Sequence, residues 1–273
     1  MGEPDESERM LSDSAPFPGV QLMATRLVHL VVDANDPAAL ARFWADALGW
    51  VIGDVADDEV DVWPEGFSYP DPVALPLVFV PVPEPKRGKN RVHLDLASSS
   101  AADQAALVGR LRDLGATPAD IGQHRPGRPD VPWTVLADPE GNEFCVLEPR
   151  NEYFDTGPVA AVLIDCADPD GLARFWSQAA GWPVVRSDRD IIGLRSPEDV
   201  GPYLEFLRVS EGQTVKNRWH PDVAPYLGDE SPAEVTRLRG LGATPADVGQ
   251  GPEVTWTVLA DPEGNEFCVL SPR

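Results

Sequence analysis

Two segments carry the pattern Arg-X-His-X-Asp: Arg91, His93 and Asp95, and again Arg218, His220 and Asp222. Alternate residues of a β-strand share a face, so each segment sets a guanidinium, an imidazole and a carboxylate side by side. Imidazole is the commonest metal ligand and titrates near neutral pH. These faces therefore suit ligation or acid–base work, with Arg91, Asp95, Arg218 and Asp222 lining a pocket. The plainer alternative is a histidine held between Arg and Asp as a structural network. His29 sits on an otherwise apolar strand, where a satisfied core histidine is the common alternative to a ligand. Cys145 and Cys268 are two of the three cysteines. A free cysteine is more often a small packing residue than a reactive one.

The elements that position these groups come from an internal repeat. WTVLADPEGNEFCVL stands at Trp133–Leu147 and again, letter for letter, at Trp256–Leu270. LARFW at Leu40–Trp44 returns at Leu172–Trp176, KNR at Lys89–Arg91 returns at Lys216–Arg218, and LGATPAD at Leu114–Asp120 returns at Leu241–Asp247. The chain is a tandem duplication, shorter in its second copy between Trp182 and Lys216 and between Gln250 and Trp256. We expect a tail over 1–24, acidic and Pro/Ser-rich and therefore disordered, a first domain over 25–150, a linker over 151–158 and a second domain over 159–273.

Within copy 1, Leu27–Asp33 alternates as a strand. Asp36 caps a helix with Pro37 at its first turn, and Gly49 ends it. Leu40, Phe43, Trp44, Ala47 and Leu48 form its apolar stripe, which makes the tryptophans core residues rather than a ligand cage. Three short strands follow near Trp50–Val55, Val60–Trp63 and Leu77–Val82. The same β-α-β-β-β order recurs from Arg91 to Leu147, closing on a hairpin around the turn Asp138-Pro139-Glu140-Gly141. We assign that turn no chemistry. The loop His124–Pro132 is basic, and reads as a pocket rim or as a solvated loop.

Lys+Arg number 22 against 45 Asp+Glu, a net charge of −23. Such a surface repels phosphate backbones and anionic membranes, which argues against nucleic-acid and membrane partners. The odd cysteine count, two of them repeat equivalents, predicts reduced thiols and a cytoplasmic location. No phosphate loop, G-X-S-X-G elbow or CXXC motif appears.

Paired βαβββ modules, a strand carrying X-His-X-Asp and a closing DPEGN hairpin resemble the vicinal oxygen chelate superfamily, and within it the glyoxalase-like domain proteins. The resemblance spans about Arg26 to Arg273. It implies an α+β fold of two tandem glyoxalase-like domains, each made of two βαβββ modules that form a concave, mostly antiparallel sheet. It also implies a small-molecule cup per domain. Metal-using members take ligands from the first and last strands of each module. Those positions match His29, about Phe79, His93 and Cys145 in copy 1, and Ala161, about Glu205, His220 and Cys268 in copy 2. Cysteine stands where the family usually has Glu, which puts the metal in question. The expected ligand sets are His29, His93 and Cys145 for zinc in domain 1, and Glu205, His220 and Cys268 for a harder ion in domain 2. Zinc suits these donors better than iron.

Two functions remain open on this reading. One is an enzyme in which a divalent metal supports lyase, isomerase or dioxygenase chemistry. The other is a metal-free protein that binds or sequesters a drug or metabolite. A scaffold role for the duplicated domains is a plainer third. The expected assembly is a monomer that is itself a pseudo-dimer, or a homodimer. Each copy is expected to close its own pair of modules.

Overall fold

Four βαβββ modules follow one another along the chain. The structure, a computed structural model, describes residues 25–56, 59–123, 130–210, 215–251 and 254–273. The tail over 1–24 and most of the basic loop at 124–132 lie outside the described residues. Module 1 holds β1 (Thr25–Ala34), α1 (Pro37–Leu48), β2 (Val51–Ala56), β3 (Glu59–Trp63) and β4 (Leu77–Pro81). Module 2 holds β5 (Val92–Leu96), α2 (Ala101–Asp113), β6 (Thr117–Pro118), β7 (Thr134–Ala137) and β8 (Glu143–Val146). Module 3 holds β9 (Val159–Cys166), α3 (Pro169–Ala180), β10 (Val184–Ser187), β11 (Ile191–Leu194) and β12 (Tyr203–Arg208). Module 4 holds β13 (Trp219–Pro225), α4 (Ser231–Gly240), β14 (Thr244–Pro245), β15 (Thr257–Ala260) and β16 (Glu266–Val269).

The α+β class and the two tandem copies of paired modules stand as expected. The pairing of modules does not. One eight-stranded sheet runs β14-β15-β16-β13-β1-β4-β3-β2, joining module 4 to module 1. The other runs β10-β11-β12-β9-β5-β8-β7-β6, joining module 3 to module 2. Each sheet therefore mixes the two copies, and neither copy closes a sheet of its own. The reason is visible at the junction between copies. Ala97 N donates to Pro158 O, and β9 then runs antiparallel along β5 with Val159 opposite Leu96 and Leu163 opposite His93. The short linker sets β9 along the free edge of β5, the edge that β1 would fill in a self-closed copy. β1 is left to pair antiparallel with β13.

The helix signals hold in detail. Asp36 Oδ1 accepts from Ala39 N at 2.9 Å, and Gly49 ends α1 at φ 68, a left-handed conformation that glycine adopts without penalty. α1 buries Leu40, Phe43, Trp44, Ala47 and Leu48. Strand alternation then divides inside from outside. Val92, Leu94 and Leu96 of β5 and Val162 and Ile164 of β9 enter one core that runs through both sheets. His93, Asp95, Leu163 and Asp165 occupy the opposite face.

The DPEGN turns tie this arrangement together. Asp138 is buried and accepts from Trp44 Nε1 at 3.2 Å and from Asn142 Nδ2 at 2.9 Å; Asp261 does the same for Trp176 and Asn265. Glu140 accepts from the backbone N–H of Asn35 and Asp36 ahead of α1, each at 2.8 Å, and from Arg218 Nη2 at 2.7 Å. Glu263 mirrors it on Ala167, Asp168 and Arg91. Each turn thus binds both modules of its own copy and an arginine of the other copy.

Candidate small-molecule site

The outer face of the module 2–module 3 sheet lines a cavity of about 760 Å³. β5 contributes His93 and Asp95, β8 contributes Cys145, and β12 contributes Glu205. Asp95 stands directly opposite Cys145 in the parallel β5–β8 pair. Leu163 of β9 stands between His93 and Glu205. Apolar walls come from Ile121, Leu147, Leu163, Leu207 and Val209, with Trp133 and Tyr153 beside them.

The floor residues are buried and their charges respond to that. Burial pushes Asp95 up to about 7, with the Glu205 carboxylate adding to the rise. Burial drives His93 down to about 3, helped by Lys89, so the imidazole is neutral. His93 Nε2 lies 3.6 Å from Asp95 Oδ1. The Cys145 thiol is pushed well above its ordinary value by burial and by Asp95, its hydrogen-bond partner. Glu205 is fully buried and raised by burial. Tyr153 OH donates to Glu205 Oε2 at 3.0 Å, and Arg186 Nη1 donates to Oε1 at 3.3 Å.

The expected ligand sets are regrouped by the pairing of modules. His29 is on the other sheet from His93 and Cys145, so the set His29, His93 and Cys145 does not form. His29 Nε2 instead meets Asp222 Oδ2 at 3.0 Å, beside His220 and Cys268, whose Nε2 and Sγ are 3.6 Å apart. Glu205 joins His93 and Cys145 in the cavity, away from His220 and Cys268. Among the described residues two clusters of three donors result, each with its atoms within 4.8 Å: His93, Asp95 and Cys145, and His220, Asp222 and Cys268. The expectation that copy 1 alone builds the better zinc site falls with the first set. The position matched to about Phe79 also moves. Glu205 pairs with Leu163, and Val31, the repeat equivalent of Leu163, pairs with Val78; Phe79 itself is fully buried core.

Arg91 and Asp95 line the cavity as expected. Arg218 and Asp222 are not among its lining residues. Arg218 is buried in the clasp with Glu140, and Asp222 is held by His29. Tyr153 is a cavity-lining residue that the sequence reading missed. It lies in the linker, where no periodicity marks it; the only available signal was an aromatic residue in a segment otherwise rich in turn formers. A second tyrosine, Tyr69, packs on the other sheet against Val28 and Cys268, from a segment that is not its repeat equivalent. Tyr153 packs with Cys145 and Ala160, the matching positions.

An α+β protein of four βαβββ modules, with a donor-lined cavity on the face of a sheet, is thereby defined. The sequence pattern of the glyoxalase-like domain matches residues 29–147 and 161–270, and the chain belongs to that family. Its fold is similar to glyoxalase I from Zea mays, at 17% identity and TM-score 0.63, covering 91% of this chain and 92% of that one. It is also similar to a putative dioxygenase from Bacillus subtilis, at 13% identity and TM-score 0.57, covering 91% of this chain and 85% of that one. No curated protein matches the sequence. Among the described residues, no helix is long and apolar enough to cross a membrane.

Proposed function

We propose that the protein binds a small organic molecule in the cavity between modules 2 and 3, and that its primary role is to hold that molecule without a metal. The observation that carries this reading is the cavity itself: about 760 Å³, with apolar and aromatic walls over a few buried polar groups. The floor lacks the full ligand set that the family resemblance implies. Ala161 stands where a second imidazole is required. The Glu205 carboxylate already accepts from Arg186 and Tyr153, and the Cys145 thiol keeps its proton in contact with Asp95.

The binding chemistry then belongs to the chain's own side chains. Neutral His93 offers a hydrogen bond to ligand oxygen or nitrogen, and the Tyr153 hydroxyl, whose proton goes to Glu205, accepts from a ligand N–H or O–H. Leu163, Leu207 and Trp133 exclude water and contribute about 25 cal/mol for each Å² of apolar ligand surface they cover. Arg186 and Tyr153 keep Glu205 in one orientation.

One observation favours a second reading, in which the protein is an enzyme. His93, Asp95 and Cys145 each offer a donor atom within 4.8 Å of the others, a set whose chemistry is that of zinc. Such an ion would supply Lewis-acid polarisation of a ligand oxygen. Elemental analysis of untagged protein, with calorimetry against a small-molecule panel, separates the two. Ligand binding that survives complete removal of metal supports the first reading. A stoichiometric metal that is lost in His93→Ala and is needed for binding replaces it with the second.

A further inference from the structure

Among the described residues, one acid lining the cavity has no matching cation, and that acid bears on the ligand's chemistry. This step rests on the reading of the cavity as the ligand site. Among the described residues five cations line or border it, and each is matched by a carboxylate. Lys89 pairs with Asp165, Arg91 with Glu263, Arg150 with Glu148, Lys216 with Asp33 and Arg186 with Glu205. Asp95 is the lining acid left over. It is 5% exposed, and its Oδ1 has no hydrogen-bond partner. Its nearest basic neighbour is His93, whose Nε2 lies 3.6 Å from Oδ1, beyond hydrogen-bond reach. A carboxylate in that position has lost its hydration without gaining a cation in contact; the Arg150 guanidinium acts on it from beyond ion-pair distance and is itself held by Glu148. The sister cluster on the other sheet lacks this feature in the same form, because His29 binds Asp222 directly there and its place beside Asp95 is taken by Ala161.

The surroundings favour positive charge as well. Trp133 and Tyr153 line the cavity, and the Arg150 guanidinium already lies 5.9 Å from each ring. Aromatic faces attract cations through their quadrupole. The whole chain carries −23, so its field draws cations and repels anions on approach. An anionic ligand group would meet Asp95 and Glu205 with no cation free to receive it among the described residues.

We propose that the ligand of this cavity is an organic cation, with an ammonium N–H donated to Asp95 Oδ1 and an apolar body against Leu163, Leu207 and Trp133. The test uses the full chain, treated with chelator, and three probes of one skeleton: phenylbutylamine, phenylbutanol and phenylbutyrate. Each is titrated against the neutral reporter Nile red bound in the cavity. The amine should displace the reporter at a concentration about tenfold lower than the alcohol, the scale of one charge-assisted hydrogen bond. The carboxylate should be the weakest. In Asp95→Asn the amine and the alcohol should become equal while Nile red still binds. If that variant does not fold, the three probes on the unsubstituted chain decide alone.

Equal displacement by amine and alcohol would overturn the proposal, as would an amine preference that survives Asp95→Asn. One equivalent of zinc that binds and blocks the amine would assign the charge at Asp95 to a metal ion, and also overturn it. Failure of the reporter and all three probes to bind would instead remove the cavity reading beneath it.

Discussion

Asp95 concentrates the chemistry of the site in one carboxyl group. Its position in Arg-X-His-X-Asp was legible, because strand alternation alone puts it beside His93 on the outward face. Its partner was not, because Cys145 reaches it across the parallel β5–β8 pair. A measurable consequence follows from its proton. The group binds a proton more tightly when folded, about 7 against 3.8, so its contribution favours folding at low pH and is lost as pH rises through about 7. In metal-free protein, Asp95→Asn should therefore match the unsubstituted chain near pH 4 and exceed it in thermal stability at pH 8. The gain is at most about 4 kcal/mol, since each tenfold difference in proton affinity corresponds to about 1.4 kcal/mol. Parallel melting-temperature profiles for the two proteins across that window would show that the carboxyl is not desolvated as described.

The elements were read well where the signal is local. Asp36, Pro37 and Gly49 delimit α1 by capping chemistry that involves only neighbouring residues. The DPEGN segments show the limit of such reading. A turn was legible from Pro and Gly, and a turn is present. The work of Glu140 and Glu263 was hidden, because their partners Arg218 and Arg91 lie in the other copy. Glu140→Ala should strand the Arg218 guanidinium, which is 6% exposed, and free two N–H groups ahead of α1. We expect a loss of about 2–4 kcal/mol, typical of breaking one side of a buried charged contact. Thermal denaturation beside Glu65→Ala, an exposed position, checks it; equal melting temperatures would remove the clasp from the account.

At the scale of the molecule, each copy supplies half of each sheet. Residues 25–150 and 151–273 produced separately should leave the edges of β1, β5, β9 and β13 unpaired, and an exposed edge seeks another strand. We expect each half alone to self-associate or aggregate, and the two mixed during refolding to recover a one-to-one complex. Light scattering after size exclusion distinguishes these states. Two stable monomeric halves would contradict the strand order described above.

The sequence by itself determined the duplication, the four βαβββ modules, the outward faces of β5 and β13, and the donor types set on them. Those follow from identity between copies and from periods of 2 and 3.6, which neighbouring residues dictate. Tertiary structure alone decided that module 1 pairs with module 4 and module 2 with module 3. With that choice it decided that His29 serves Asp222 and not Cys145, that Glu205 faces His93, and that a linker tyrosine enters the cavity. An unpaired strand edge offers the same backbone donors and acceptors to any partner. Which partner it takes depends on the reach of the connecting chain and on the clasps between copies, and no local pattern records either.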